Sequence, residues 1–350
     1  MKPFLSFVLF LLCTNILSSQ SIELKEPRCK IIRTDLILNQ SRFAQCHAST
    51  LVELLDGSIM VAMFGGSYES APDVKIWGTT LRNGHWSDPI ILADGKVSDT
   101  LYYPCWNPVL FKSADGQLYL FYKVGKNPRE WFGMMKTSSD QGTNWSAPIR
   151  LPTGIHGPIK NKPVELADHK LLCPSSIETS TRWSVQMEIM DLSSNEWARV
   201  SVDSGSAFEV IQPTILVHSP TQYQILCRSR QNVIVSSISA DSGLSWTNFD
   251  SIPLPNPNSG IDGITASDGS YWLVYNPLLS GREWYNGRNR LNLARSADGI
   301  NWKDVLILED HPDGEFSYPA IIQSADGNIH ITYTYNRINI KHVEIRNFNL

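Results

Sequence analysis

The chain has 350 residues, of which 42% are hydrophobic and 18% charged, and its formal net charge is −4. This length and balance are typical of a globular protein with a sizeable core. The net negative charge and the lack of a basic run argue against nucleic acid as a partner, because nothing would replace the counterions of a phosphate backbone.

The first 19 residues predict a secretory signal, in which Lys2 precedes an apolar core from Phe4 to Leu12 and the polar pair Ser18-Ser19 follows. The apolar core is too short to span a bilayer. We therefore expect cleavage after residues 1–19, a single domain over residues 20–350, a secreted or periplasmic location, no membrane span and a monomer. The mature chain would keep an odd number of cysteines, which cannot all pair internally: Cys29, Cys46, Cys105, Cys173 and Cys227.

Six hairpin patterns follow along the chain, each with an apolar strand, a short turn and a returning strand. A repeat of about 40–60 residues that holds several short strands is typical of a propeller blade. The sequence therefore predicts an all-β fold, a six-bladed β-propeller with four strands per blade. The hairpins are spaced 48 to 59 residues apart and their first strands include Ser49, Pro108, Pro163, Pro213, Ile261 and Pro319.

Equivalent positions of the six hairpins should face one another at one mouth of the central tunnel. The strand starts there are Ala48 beside His47, Asn107, Lys162, Gln212, Gly260 and Tyr318, and the strand ends are Phe64, Lys123, Arg228, Asn276 and Thr334. Polar residues that converge at a propeller mouth predict a binding site. We expect His47, Lys123, Lys162 and Arg228 to meet there.

A second motif, S-x-D-x-G-x-x-W, occurs between strands. It is complete at 138–145 and 239–246 and one residue short at 296–302. Its Ser and Asp side chains suit bonds to turn amides and its Trp suits a gap between strands, so the motif predicts structural loops rather than catalytic ones.

With these loops, nearly the whole mature chain resembles the sialidase superfamily, more closely its secreted sialidase-like branch with Asp-box (BNR) repeats. The resemblance implies an arginine clamp for a substrate carboxylate, a tyrosine nucleophile, an assisting glutamate and an aspartate acid/base. By spacing, Tyr318 corresponds to the nucleophile, and Arg228 and Arg288 to two clamp arginines, with Arg290 as a rival to Arg288.

Three positions depart from that pattern. His47 stands where the first clamp arginine is expected, and Gln212 stands where the glutamate would assist the tyrosine. Glu69 stands in place of the aspartate, with Asp73 close by. The resemblance thus implies the scaffold of a sialidase with altered chemistry.

The leading hypothesis is a glycoside hydrolase that releases a terminal carboxylate-bearing sugar from a glycan or polysaccharide. Tyr318 would be the nucleophile and Glu69 the acid/base, since Glu and Asp differ mainly in reach. Because Gln212 cannot take a proton, Lys162 or the arginines would have to favour the tyrosine anion by charge.

Substrate binding is assigned to Arg228, Arg288, Lys162, Lys123, Asp73 and Asn107, with Asp262 and Glu315 expected to hold the arginines in place. No cofactor is expected, and no metal, because no His, Cys or carboxylate group has metal-ligand spacing.

Two alternatives stay open. In a polysaccharide lyase, His47 and Tyr318 would act as base and acid on a uronate whose carboxylate is neutralised by cations. In a carbohydrate-binding propeller without catalysis, aromatic side chains would stack on sugar faces: Trp106, Trp131, Trp284 and Tyr285.

Overall fold

A computed structural model describes residues 29–38, 43–202 and 207–347, so the predicted signal at 1–19 lies outside the described residues. The fold consists of six antiparallel sheets, each built around one of the predicted hairpins. In chain order the strands are β1 (Cys29–Leu36), β2 (Gln45–Glu53), β3 (Ile59–Gly66), β4 (Lys75–Arg82), β5 (His85–Trp86), β6 (Ile90–Ala93), β7 (Cys105–Lys112), β8 (Leu118–Val124), β9 (Phe132–Ser138), β10 (Ile149–Arg150), β11 (Val164–Glu165), β12 (Lys170–Glu178), β13 (Trp183–Asp191), β14 (Trp197–Ser201), β15 (Val210–Val217), β16 (Tyr223–Ser229), β17 (Val233–Ser239), β18 (Asp250–Pro255), β19 (Asp262–Thr265), β20 (Tyr271–Tyr275), β21 (Arg290–Ser296), β22 (Trp302–Asp310), β23 (Phe316–Gln323), β24 (Ile329–Tyr335) and β25 (Asn339–Asn347).

The six sheets are the blades of a β-propeller, which confirms the predicted fold class. The first blade is β2–β3–β4 with β5 and β6 as its outer strands, and the next four each take four consecutive strands. The sixth blade is β23–β24–β25 with β1 as its outermost strand, so the start of the described chain closes the ring. The first strands of five hairpins, β2, β7, β15, β19 and β23, are innermost, as their contacts from blade to blade show, and in the third blade β12 contacts the inner strand β15.

The core lies between neighbouring blades rather than in one central cluster. Leu172 and Met187 of the third blade, for example, pack against Ile225 and Cys227 of the fourth. Alternation along each strand sends one set of side chains to each neighbouring blade, which is why strands buried on both faces read as nearly continuous apolar runs.

The five described cysteines are all free, and four of them are buried in these interfaces. Within the described ranges no helix is long and apolar enough to cross a membrane.

The antiparallel order fixes the two ends of the propeller. Inner strands begin at one end, which we call the mouth, and reach the hairpin turns at the other, which we call the turn end. The third strand of a blade runs to the turn end as well, so the S-x-D-x-G-x-x-W loops lie there beside the hairpin turns. At the hairpin turns Gly57, Gly116, Gly269 and Gly327 have φ between 78° and 88°, which glycine adopts without a steric penalty.

Candidate functional site at the mouth of the propeller

A bulge opens the inner strand of most blades. The register slips between His47 and Thr50 in β2, and at the corresponding places in β7, β15 and β23. One residue within each bulge is left-handed: Ala48 (φ 53°), Asn107 (39°), Gln212 (55°) and Tyr318 (52°). Such conformations cost non-glycine residues free energy and cluster at functional sites, so the bulges mark the mouth as the candidate site.

In the third blade the left-handed residue is Lys160 (φ 71°) rather than Lys162, which the sequence had placed in the ring. Ile159 N donates to Pro174 O (2.8 Å) just before it. In three blades the proline used as a marker comes directly after the left-handed residue, but in the third blade Pro163 stands three residues after Lys160. We call the resulting set the axial ring: Ala48, Asn107, Lys160, Gln212, Gly260 and Tyr318.

Lys160 ties this ring together at its centre. Its ammonium donates to Asn161 Oδ1 (2.9 Å), to Ile261 O (2.7 Å) and to Pro319 O, so it links three blades directly beneath Tyr318. A Cβ on Gly260 would lie 3.1 Å from Lys160 Cε and 3.4 Å from the Tyr318 ring, which shows how closely these residues approach. Burial is the main cause that lowers the pKa of Lys160 to about 7.

Tyr318 meets two of the other predicted site residues. Arg228 Nη1 donates to the Tyr318 hydroxyl oxygen at 3.0 Å. The His47 ring lies against the Tyr318 ring, with centroids 4.2 Å apart. The structure therefore brings Tyr318, Arg228 and His47 together.

His47 is 2% exposed, and its Nδ1 lies 2.9 Å from Thr334 Oγ1. That hydroxyl oxygen also accepts a hydrogen bond from Ala48 N (3.1 Å). Because a hydroxyl group can donate one hydrogen bond and accept two, its contact with His47 Nδ1 suits either neutral tautomer of the ring. Burial, and after it Arg337, Arg288, Arg228 and Lys160, hold the pKa of His47 well below its usual range, so the ring is neutral.

Arg288 and Arg337 form a second arm of the site through Glu315. Arg288 Nη1 lies 3.5 Å from Glu315 Oε1, and Arg337 Nε donates to Glu315 Oε2 at 2.9 Å. Arg337 Nη1 also donates to Glu69 Oε2 at 2.5 Å. Glu315 thus holds Arg288, as the sequence suggested, and Glu69, predicted as the acid/base, is engaged in an ion pair.

Sequence reasoning did not find Arg337, which lies in the turn after β24, or Glu178, at the end of β12. Glu178 pairs in register with Trp183, whose ring lies 5.6 Å from the Arg228 guanidinium carbon. Burial raises the pKa of Glu178, while Arg228, Arg230 and Arg129 oppose that rise. Once Lys160 is taken as the axial-ring residue of the third blade, the matching strand end at the mouth lies two residues before Glu178. That spacing is the sequence signal that would have identified Glu178.

The other predicted binding residues are placed differently. Lys123 is 0% exposed and donates to Pro158 O (2.8 Å), so it lies in the interior instead of at the open mouth. Lys162 is ion-paired with Asp262, and Asp262 therefore holds this lysine rather than an arginine. Asp73 is exposed and accepts hydrogen bonds from Ser67, which closes its own loop.

Several buried polar atoms at the mouth have no hydrogen-bond partner within the described ranges: Gln212 Oε1, Arg228 Nε, Arg288 Nε, Asn258 Oδ1 and Ser259 Oγ. Buried polar groups are normally paired, and an unpaired one costs about 1–3 kcal/mol. The atoms therefore suit a polar ligand that supplies the missing partners. Among the described residues no cluster of His, Cys, Asp or Glu could hold a metal ion.

Solved structures with the same fold include several sialidases. A protein of unknown function from Dyadobacter fermentans aligns with a TM-score of 0.73 at 14% identity, over 91% of this chain and 99% of that one. The K499G mutant of the NanB sialidase from Streptococcus pneumoniae aligns with a TM-score of 0.69 at 12% identity, over 89% and 70%. The intramolecular trans-sialidase from Ruminococcus gnavus, in complex with oseltamivir carboxylate, aligns with a TM-score of 0.66 at 12% identity, over 89% and 97%.

At these identities the structural likeness shows the fold alone. A search for similar curated proteins finds no match. The family model of the BNR repeat-like domain, however, matches residues 57–331, which is most of the chain. The chain therefore belongs to the BNR repeat-like family.

Proposed function

We propose that this protein is a glycoside hydrolase that releases a terminal carboxylate-bearing sugar from a glycan. The observation that carries the proposal is the Tyr318 phenol at the mouth, with Arg228 donating to its oxygen at 3.0 Å. The cation stabilises negative charge on the attacking oxygen. Before attack the neutral phenol meets the substrate carboxylate with less repulsion than a carboxylate nucleophile would, and it releases its proton to solvent water as its oxygen bonds to the anomeric carbon and the glycosidic bond breaks.

Arg228 and Arg288 would bind the carboxylate of the sugar. No carboxylate of the described residues forms an ion pair with Arg228, and the Nε atoms of both arginines are buried and unpaired. A guanidinium offers two parallel donors that match a carboxylate. Arg337 differs, because Glu69 and Glu315 already neutralise it.

A proton must reach the glycosidic oxygen as the bond breaks. The sequence assigned this role to Glu69, but its ion pair with Arg337 suits it to holding that arginine. The Glu178 carboxylate has no hydrogen bond or ion pair among the described residues, and burial raises the pKa of this carboxyl group above its ordinary value, which is the direction that a general acid needs. We therefore assign the acid/base role to Glu178 and a supporting role to Glu69.

Mutation can distinguish the role of Glu178 from that of Glu69. Glu178→Gln should lower kcat about 100-fold or more on substrates with a poor leaving group and much less on aryl glycosides, which need no proton. Glu69→Gln should instead raise KM on both. The reverse pattern would return the acid/base role to Glu69.

The proposal as a whole is tested by mass spectrometry of products from a panel of acidic glycans, from sialosides to uronate-containing fragments, in ¹⁸O-labelled water. A released acidic monosaccharide with one ¹⁸O supports the hydrolase. Products without added water would mean elimination with His47 as base and would overturn the hydrolase. If no glycan of the panel gives a product, the protein binds carbohydrate without catalysis and the proposal is refuted.

A further inference from the structure

Two unfavourable features coincide in Lys160, the axial-ring residue of the third blade. The residue is 3% exposed, so its ammonium is buried, and its backbone is left-handed (φ 71°). A buried charge is costly unless it is paired or hydrogen-bonded, and a left-handed conformation costs a residue other than glycine further free energy. The surrounding structure must compensate for both costs, and its contacts show what the lysine does.

Every donor of the Lys160 ammonium has an oxygen acceptor. The acceptors are Asn161 Oδ1 (2.9 Å), Ile261 O (2.7 Å) and Pro319 O. An ammonium group has three donors and no acceptor, so this set satisfies it fully. A neutral amine has only two donors and would leave one of these oxygens without its partner.

Asn161 extends the network to the fourth blade. Its Nδ2 donates to Gln212 O (3.0 Å) and to Pro213 O (3.0 Å). Lys160 and Asn161 together therefore bind backbone carbonyls of the fourth, fifth and sixth blades, next to the axial-ring positions of those blades.

The bulge of the sixth blade shows the consequence for Tyr318. The register of β23 slips there, so that Tyr318 and Pro319 together face the single residue Tyr333. Pro319 has no N–H, and its carbonyl accepts from Lys160. The left-handed backbone at Tyr318 (φ 52°) is thus followed directly by a carbonyl that the buried cation binds.

Charged and titratable groups surround the Lys160 ammonium on several elements: Asp262, Lys162, Arg228, His47 and Tyr318. Burial is the main cause that lowers the pKa of Lys160 to about 7, the carboxylate in this set opposes the shift, and the two cations add to it. The lysine therefore binds all three oxygens below this pKa and loses one of the bonds as the pH rises through it.

We propose that Lys160 is a positioning residue for the Tyr318 nucleophile. Its ammonium fixes the carbonyl that follows Tyr318 and so holds the phenol where Arg228 donates to its oxygen. The inference rests on the proposed function and deepens it, because it assigns the group that positions the nucleophile. Lys160 acts through the backbone at Tyr318 and not on the glycan.

The position of the phenol can be followed without turnover by NMR of protein labelled with ¹³C at the tyrosine ζ carbon. Tyr318→Phe identifies the Tyr318 signal. We expect a narrow signal in the wild type and a shifted or broadened one in Lys160→Met, where the Pro319 carbonyl loses its donor. Lys136→Met is the matched control and should retain the wild-type signal, because the Lys136 ammonium also donates to a carbonyl of a neighbouring blade, Leu92 O (2.7 Å), but from a third strand away from the axial ring.

Kinetics then test the role in catalysis. Lys160→Met should lower kcat about 100-fold, because a small displacement of a reacting group is costly, and should change KM by about threefold or less, because the arginines still bind the carboxylate. Lys160→Gln, which keeps two donors without the charge, should have an intermediate kcat. On an aryl glycoside, which needs no proton from Glu178, kcat of the wild type should fall as the pH rises through about 7, and Lys160→Gln should lack that fall.

An unchanged Tyr318 signal in Lys160→Met, or in Lys160→Gln if the first variant does not fold, would overturn the proposal even if hydrolysis is found. The same fall of kcat with pH in Lys160→Gln would also overturn it. A loss of stability with the Tyr318 signal and kcat unchanged would assign the lysine to folding alone. A displaced Tyr318 signal in a protein that hydrolyses no glycan would retain Lys160 as the residue that positions Tyr318 while the proposed hydrolase fails.

Discussion

The two ends of the propeller satisfy their polar side chains in different ways. At the turn end each S-x-D-x-G-x-x-W loop is complete in itself: Ser239 Oγ donates to Asp241 Oδ1 (2.8 Å), Gly243 N to Ser239 Oγ (2.9 Å) and Trp246 Nε1 to Gly243 O (3.0 Å). The same three contacts recur at 138–145, and at 296–302 despite its missing residue.

At the mouth the partners come from different blades. Arg228 and Tyr318 are 90 residues apart, and Arg337 and Glu69 are 268 apart. Several buried polar atoms there have no hydrogen-bond partner among the residues that the structure describes, in contrast to these loops. The difference indicates that the turn end is built for stability, while the mouth keeps polar groups available for a ligand.

The largest expected effect is on activity at the mouth. Arg228→Lys keeps the positive charge but removes the planar fork and its bond to the Tyr318 hydroxyl. We expect kcat/KM on the acidic glycan to fall about 100-fold, because a lysine is a poor substitute at a two-donor site. Steady-state kinetics measure this loss. A free energy of unfolding close to that of the wild type in the same variant would confirm that the arginine serves the ligand, and unchanged kinetics would remove it from the site.

An intermediate effect is expected from pH on the histidine pair at the turn end. His330 Nδ1 and His342 Nε2 lie 3.0 Å apart, and burial lowers the pKa of each to about 4. The unfolded chain, with an ordinary histidine pKa, takes up protons first as the pH falls. Stability is therefore lost between about pH 6.5 and pH 4, by about 2 kcal/mol per histidine between pH 7 and pH 5.

Urea denaturation at pH 7 and pH 5 measures this loss. The double variant His330→Asn/His342→Asn should be less stable at pH 7 but should lose less on acidification. His169→Asn, at an exposed position, is the control and should follow the wild type. An equal loss in the double variant would mean that other groups cause the acid sensitivity.

The smallest effect is expected from a single loop at the turn end. Trp246→Phe removes the hydrogen bond to Gly243 O and part of a ring that packs against the core between the third and fourth blades. The free energy of unfolding should fall by about 1–2 kcal/mol. Chemical denaturation measures it, and kcat/KM should not change. A large loss of activity with intact stability would contradict the division between the two ends.

The same division explains what the sequence could predict. The sequence could predict the six hairpins and the S-x-D-x-G-x-x-W loops because each has a local signal. A hairpin is marked by a turn residue between apolar strands, and a loop by a Ser and an Asp two residues apart. Equivalence between blades then located five of the six axial-ring positions.

The remaining parts of the mouth depend on contacts that cross the ring. In the third blade the proline marker stands two residues farther along than in the other blades that have it. The sequence therefore predicted Lys162 instead of Lys160 in the ring, and Glu178 was not recognised. Arg337 lies in an ordinary turn, and only its ion pairs with Glu69 and Glu315 bring it to the site. No local pattern distinguishes a buried lysine such as Lys123 from one that faces the opening.

The most direct test of the central claim is to trap the sugar on the protein. The acidic sugar identified from the glycan panel would be supplied as a glycosyl fluoride with a second fluorine beside the anomeric carbon, which slows release of a covalent intermediate. The account predicts a mass increase of one sugar per chain, on the peptide that contains Tyr318, and none in Tyr318→Phe. Rapid turnover of the natural glycan with no label on Tyr318, or with the label elsewhere, would contradict it.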